Sequence, residues 1–203
     1  MRTTMLVLLA LALLLAACQS MATPPPAPPT PKPPSVTPPA VLNEETVEDY
    51  FVLTSPAFAD GGTIPPQYTC HGEDVSPPLR WGSPPEGTAA LLLTMTDPDA
   101  QQVVGSTWIH WLLYDLPPEV RTLEGVSAEP EVAGGRQGTN SWGKIGYGGP
   151  CPPNGPAHRY IFALYALDAP LGLPVGATME EVEAAMEGHI IATTQLVGLY
   201  ASP

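Results

Sequence analysis

Positive charge is scarce in this chain: seven Lys and Arg stand against 20 Asp and Glu in 203 residues, a formal net charge of −13. A surface of that sign repels phosphate backbones and anionic bilayers alike. Nucleic acid is therefore excluded as a partner, and any membrane attachment must come from something other than basic patches. Cysteine and histidine are sparse too, with three and four, and no four of them stand at the compact spacing of a zinc site. No Gly-x-Ser-x-Gly elbow is present and no internal repeat is visible, so neither a serine hydrolase of that type nor a solenoid is indicated. The one unbroken apolar run, residues 5–15, is too short to span roughly 30 Å of hydrocarbon.

That run nevertheless has a place. Met1-Arg2-Thr3-Thr4 puts one positive charge ahead of it, the layout of a secretory signal. It ends in Leu15-Ala16-Ala17-Cys18, which resembles the lipobox of bacterial lipoproteins. The resemblance implies acylation of the Cys18 thiol and cleavage just before it, making residues 1–17 a signal peptide. The alternatives are an ordinary signal with a chance cysteine, or a membrane-spanning anchor, against which the length argues. One acyl chain holds a bilayer only marginally and two or more hold it stably, so a multiply acylated cysteine is a durable anchor. Gln19 is not the aspartate that retains many such proteins at the inner membrane, which favours an outer membrane where there is one. The expected location is thus exported and lipid-anchored to the cell membrane or outer membrane, with the domain facing periplasm or exterior. Loss of Arg2 with the signal leaves 6 Lys and Arg against 20 Asp and Glu, or −14.

Residues 18–46 read as the lipidated cysteine and a linker, with ten prolines between positions 23 and 39 and only Lys32 charged there. Proline fixes φ and removes a donor, so this stretch is expected to be a semi-rigid polyproline spacer of roughly 50 Å. A Pro-rich ligand for a partner domain is the alternative. Residues 47–203 are long enough for a single core that buries about two thirds of the unfolded surface. With Cys18 lipidated, Cys70 and Cys151 remain as a pair in an oxidising compartment, for which a disulfide is the natural reading. Two free thiols, or a metal site with His71 and His158, stay open.

The pattern within 47–203 is mainly β. Residues 89–96, 107–113 and 160–167 are short apolar or alternating runs bounded by Pro, Gly and Asp, as buried strands are. Thr178 and Glu181 form a capping box for one helix with Val182, Ala185 and Met186 on one face and Gly188 near its stop. Residues 190–200 return to a strand pattern. The Gly and Pro density of 134–156 predicts long shaped loops with little helix.

Chemistry concentrates in two segments about fifty residues apart: Asp97-Pro98-Asp99-Ala100 followed by Trp108-Ile109-His110-Trp111, and Gly148-Gly149-Pro150-Cys151 followed by His158-Arg159-Tyr160. Taken singly, the aspartates could close a turn, His110 could be a core histidine, and His158-Arg159 a solvated corner. The ordered set, with Ser76-Pro77-Pro78-Leu79-Arg80-Trp81 and Leu112-Leu113-Tyr114-Asp115-Leu116-Pro117, resembles the phosphatidylethanolamine-binding protein family and its bacterial branch of Raf kinase inhibitor-like proteins. The resemblance extends over residues 51–200.

It implies a mainly β fold with a large antiparallel sheet, a second smaller sheet and a few peripheral helices. It further implies a small anion pocket for phosphate or a phosphoethanolamine-like head group, lined by Asp97, His110, Gly149, Pro150, His158 and Tyr160, with Asp99 and Arg159 in support. Two imidazoles could donate to anion oxygens, glycine would let backbone N–H groups approach, and an aspartate could orient one ring. Gln101 stands where a proline commonly follows in the family, and His71 stands where relatives often carry an acid, so the rim departs more than the floor. His71 and His189 are expected to be surface residues. No catalytic residue, cofactor or metal is expected. The function implied is membrane-tethered binding, with modulation of a partner protein in the envelope. The alternatives are a protease or kinase inhibitor acting by protein contact, and a hydrolase using Asp97, His110 and His158 as acid-base groups.

Overall fold

Three consecutive leucines decide the architecture. Leu91, Leu92 and Leu93 are all fully buried, and because successive strand side chains point to opposite faces, the strand that carries them, β4 (Ala90–Asp97), must be covered on both sides. A computed structural model describes residues 50–203 and shows both covers. Cys18, the Pro-rich linker and the first positions of the 47–203 domain lie outside the described residues.

On one side, Leu91, Leu93 and Met95 pack with Trp111, Leu113 and Phe162 against Leu53, Leu79, Trp81 and Leu123. The last four belong to a three-stranded sheet in the order β1 (Leu53–Thr54), β3 (Leu79–Trp81) and β6 (Thr122–Leu123). On the other side, Leu92 joins Leu112, Tyr114 and Leu167 beneath Val182 and Met186 of helix α2 (Met179–Met186). Both halves of the expected capping box form: the Thr178 hydroxyl accepts from the Glu181 N–H, and the Glu181 carboxylate accepts from the Thr178 N–H.

The large sheet has seven strands in the order β2 (Gly62–Thr63), β10 (Ile190–Tyr200), β9 (His158–Leu167), β4, β5 (Trp108–Leu116), β8 (Gly135–Gln137) and β7 (Glu131–Val132). Every neighbouring pair is antiparallel except β2 with β10. The two sheets and few short helices match the expected fold class. Helix α1 (Gln101–Val104), a single turn closed by Gly105 in the left-handed region, links β4 to β5.

One segment departs from expectation. Residues 134–156, read as loops, begin with β8 on the edge of β5. Gly135 lets that strand in, since a Cβ there would lie 2.9 Å from the Tyr114 carbonyl oxygen. The buried Gln137 side chain locks it, accepting from Trp111 Nε1 at 2.5 Å and donating to the Ser127 and Glu129 carbonyls. The rest of 138–157 is loop without helix.

Candidate functional site

Antiparallel pairing carries the two sequence segments to one end of the large sheet. Asp97 ends β4 opposite Trp108, which begins β5, and His158 begins β9 next to β4. Four of the expected pocket side chains become buried there: Asp97 is 3% exposed, His110 2%, His158 8% and Tyr160 0%.

Asp97 is the hub. One carboxylate oxygen accepts from the Asp99 and Ala100 N–H groups at 2.9 and 3.0 Å, fixing the turn, and the other takes His158 Nδ1 at 2.7 Å. Asp99 supports from outside, holding the Arg159 backbone N–H and clasping its guanidinium through Nε and Nη2. Those hydrogen bonds to Arg159 pull the Asp99 carboxyl down to about 2, against a smaller opposing effect of burial.

His110 is held differently. Its Nδ1 lies 2.7 Å from the Gly148 carbonyl oxygen, while the Gly148 N–H donates back to the His110 carbonyl. Its ring meets Trp142 and Tyr160 edge-on, with centroids 5.0 and 5.1 Å apart. Burial pushes the imidazole down to about 4, outweighing the Gly148 carbonyl and the Asp97 and Asp74 carboxylates. The ring is therefore neutral at pH 7. A carbonyl only accepts, so the single proton sits on Nδ1 and Nε2 presents a lone pair.

The same reasoning assigns His158 Nδ1–H to the Asp97 carboxylate. Among the described residues neither Nε2 has a protein partner, and neither belongs to the sealed unpaired atoms, which are Trp81 Nε1, Trp108 Nε1 and Tyr160 Oη. Burial above all, helped by the Asp97 carboxylate, raises the Tyr160 phenol, keeping it a donor.

Gly149 and Pro150 reach the same end of the molecule, but in another role than the one expected of the glycine. The Gly149 N–H donates to Asp74 Oδ1 at 2.7 Å and is not turned to a ligand. A Cβ at Gly149 would meet that oxygen and Thr69 Cα at 2.7 Å and the Tyr68 carbonyl at 2.8 Å. The glycine thus exists for close approach to the 68–74 loop. Pro150 is buried, and its carbonyl accepts from Cys70 N–H. Beside it Cys70 and Cys151 form a disulfide, with Cα atoms 5.5 Å apart. The bridge takes both thiols out of the metal-site alternative, and among the described residues no three His, Cys, Asp or Glu side chains gather as metal ligands.

Three contributors escaped sequence reasoning. Asp74, at φ +56, occupies the left-handed conformation that Asp tolerates better than most residues; the only signal for it was its place beside Gly72 and Ser76-Pro77. Trp142, 42% exposed, covers His110 from a glycine-bracketed loop. Asn140 shapes that loop by accepting from the Trp142 and Lys144 N–H groups. His71 and His189 are exposed as expected, though each has a neighbour: His71 Nδ1 lies 3.0 Å from Tyr200 Oη, and His189 Nδ1 2.7 Å from Asp168. A cleft of about 600 Å³ opens beside His71, walled by Ile64, Pro66, Ala157 and Tyr200. None of Asp97, His110 or His158 lines it, so the roomy space and the convergent polar groups are separate features.

A family model described as phosphatidylethanolamine-binding protein matches residues 54–201. The chain belongs to the phosphatidylethanolamine-binding protein family. It is 48% identical to the UPF0098 protein of Aquifex aeolicus over 149 residues, covering 72% of this chain and 85% of that one. LppC of Mycobacterium tuberculosis, named as a candidate lipoprotein, is 42% identical over 150 residues, covering 73% of this chain and 71% of LppC. Among solved structures, a phosphatidylethanolamine-binding protein homologue from Chlamydia trachomatis superposes with a TM-score of 0.68 at 42% identity, covering 75% of this chain and 98% of its own. YbcL of E. coli, described as a member of the mammalian family, gives 0.69 at 30% identity over 75% of this chain and 99% of its own. Among the described residues no helix is long and apolar enough to cross a membrane.

Proposed function

We propose that this chain is an exported, lipid-anchored binding protein. Its domain holds a small anion, phosphate or a phosphoethanolamine-like head group, reversibly among Asp97, His110, Gly149, Pro150, His158 and Tyr160. One observation carries the reading: two buried imidazoles, each fixed through Nδ1 and each with an Nε2 that has no hydrogen-bond partner among the described residues, stand at one end of the sheet. Unpaired polar groups in a dry site are costly, and a polar ligand relieves that cost. Gly149 and Pro150 build the wall rather than donate.

Binding without turnover is favoured over hydrolysis because, among the described residues, no hydroxyl or thiol hydrogen-bonds His110 or His158, and both domain cysteines are bridged. The tether, a signal at 1–17 and a lipidated linker at 18–46, rests on the Leu15-Ala16-Ala17-Cys18 motif, with the likeness to LppC in support. A role in modulating an envelope partner has one observation in its favour: Val103 and Val104 on helix α1 and Trp142 on the loop after β8 are large exposed apolar side chains flanking the Asp97 end of the sheet.

Calorimetric titration with inorganic phosphate and phosphoethanolamine tests the pocket. Affinity between micromolar and millimolar is expected, roughly −8 to −4 kcal/mol, because the net charge of −14 left after loss of residues 1–17, 6 Lys and Arg against 20 Asp and Glu, opposes an anion at long range and only short contacts attract it. His158→Ala should weaken binding at least about tenfold, which is about 1.4 kcal/mol, and His189→Ala should leave it unchanged. Equal affinity across the three proteins would show that the ligand sits elsewhere.

A further inference from the structure

The large sheet ends on one side in β7, two residues long, and on the other in β10, eleven residues long, with only β2 beyond it. β2 meets β10 at Gly198 and Leu199 and nowhere else. The bonds at that covered end show which residues of β10 turn their backbone away from β9. Val197 N–H donates to Asp60, its carbonyl accepts from Gly61 N–H, and the Leu199 carbonyl accepts from Ile64 N–H. Backbone groups alternate in direction along a strand, so Thr193 and Gln195 also turn outward. Both residues are exposed, and their N–H and C=O groups have no hydrogen-bond partner among the described residues.

Proteins blunt such an edge with lysine, proline or a very short strand. Residues 190–197 use none of these: the run Ile190-Ile191-Ala192-Thr193-Thr194-Gln195-Leu196-Val197 has no charge and no proline, and four of its residues are Ile or Thr. Ala192 and Leu196 pack on the core, which leaves Thr193 and Gln195 with side chains to solvent. Charge stands only at the two ends of the run, and its sign is negative. At the Val197 end Asp60 is fixed by its bond to the backbone. At the Ile190 end are Asp168, bonded to His189, and the exposed Glu187 and Glu86; Glu86 precedes Gly87, where a Cβ would lie 4.0 Å from Ile191. No Lys or Arg occurs in β10 or in residues 55–65, 82–89 and 168–189, which surround it.

We propose that the outer edge of β10 takes an extended segment of a partner protein as an added strand, with β-branched residues in its middle and Lys or Arg at both ends. Backbone bonds to Thr193 and Gln195 would hold the strand, and the acidic ends would select its flanks. A second copy of this chain fits worse. Two β10 edges related by a two-fold axis run antiparallel, which sets Asp60 of each against Glu86, Asp168 and Glu187 of the other, between molecules that are both strongly acidic.

The test uses the full chain in detergent, disulfide intact, and three fluorescent peptides. The first is Lys-Lys-Val-Thr-Val-Thr-Val-Lys-Lys, the second has proline for the central valine at the same charge, and the third has glutamate for every lysine. The first is expected to bind with a Kd below about 100 μM and the other two at least about tenfold more weakly. It should also slow hydrogen exchange at the Thr193 and Gln195 amides, which exchange fast without it. Thr193→Pro removes an N–H that serves no bond within the sheet and should abolish binding; where that variant does not fold, the exchange of the two wild-type amides decides. Equal affinity for the proline peptide reduces the effect to bulk charge and overturns the added strand. Equal affinity for the glutamate peptide overturns the choice of partner. Amides already protected without peptide, with or without a dimer in sedimentation, mean that the edge is covered by this chain itself and overturn the proposal.

Discussion

Acidifying the protein from about pH 7 to about pH 4 should remove a specific part of its stability, because His110 is buried neutral. The folded ring titrates near 4 and an unfolded one near 6.5. Above 6.5 both states are neutral and His110 contributes no pH dependence. Between 6.5 and 4 the unfolded chain takes up a proton that the folded protein refuses, so stability falls as pH falls; below 4 both are charged and the loss is complete. At about 1.36 kcal/mol per unit, the gap corresponds to roughly 3 kcal/mol. Asp99 does not blur this window, for its lowered carboxyl loses stability only as pH falls from about 4 towards 2, and its exposure keeps that contribution small. Other carboxylates are common to any variant and cancel in a difference. Urea midpoints of the wild type and His110→Gln, measured from pH 7.5 to 4 with the disulfide intact, should therefore diverge, the wild type losing about 3 kcal/mol more. Identical losses, or a His110 ring that titrates near 6.5 by NMR in the folded protein, would refute the burial argument and with it the neutral acceptor at Nε2.

Cys151→Ser should cost about 4 to 5 kcal/mol in urea, from the loop closed by the bridge over a separation of 81 residues; a loss under about 1 kcal/mol would show that the bridge adds little constraint. Asp97→Ala strands the Asp99 and Ala100 N–H groups and His158 Nδ1 and should cost about 2 to 5 kcal/mol, whereas Asp97→Asn keeps an acceptor for the two backbone groups and should cost about 1 kcal/mol. Equal losses in the two would mean that those backbone bonds contribute little. Mass spectrometry of the membrane fraction should find acyl chains on Cys18 as the first residue; an unmodified N-terminus upstream or downstream of it would end the lipoprotein reading.

Much of the scaffold was legible because its signals are local. The strand pattern at 190–200 and the Thr178–Glu181 box each depend on neighbours a few residues apart, and both elements form where expected. The short strands were not legible: β1, β2, β6 and β7 are two residues each, too brief for any periodicity, and β8 exists because Gly135 and Gln137 fit against β5 across more than twenty positions. That Asp97, His110, His158 and Tyr160 share one end of the large sheet was implied by the family resemblance of two short segments, and the antiparallel pairing of β4 with β5 and β9 does bring them together. Asp74 was hidden because its bond to Gly149 spans 75 positions.

The polarity of the site was less accessible than its membership, and the reason is specific to histidine. The residue name fixes two ring nitrogens but not which of them carries the proton. That choice belongs to the group facing Nδ1, a carbonyl 38 positions away for His110 and a carboxylate 61 positions away for His158. In the pocket that the family resemblance implies, both rings are expected to donate to an anion. The tertiary contacts invert it for His110: because the Gly148 carbonyl holds the Nδ1 proton, Nε2 of the neutral ring accepts and does not donate. The polarity that His110 presents is therefore set by a backbone carbonyl on the far side of its ring, and changing the direction of that carbonyl would alter it with every side chain retained. Gly148 is the place to see this: a Cβ there would lie 2.7 Å from the Trp142 ring, so Gly148→Ala should displace the Trp142 loop or the carbonyl and raise the share of the Nε2–H tautomer of His110, read from the ring 15N shifts. An unchanged 15N pattern in a folded Gly148→Ala protein would show that the carbonyl does not control the ring.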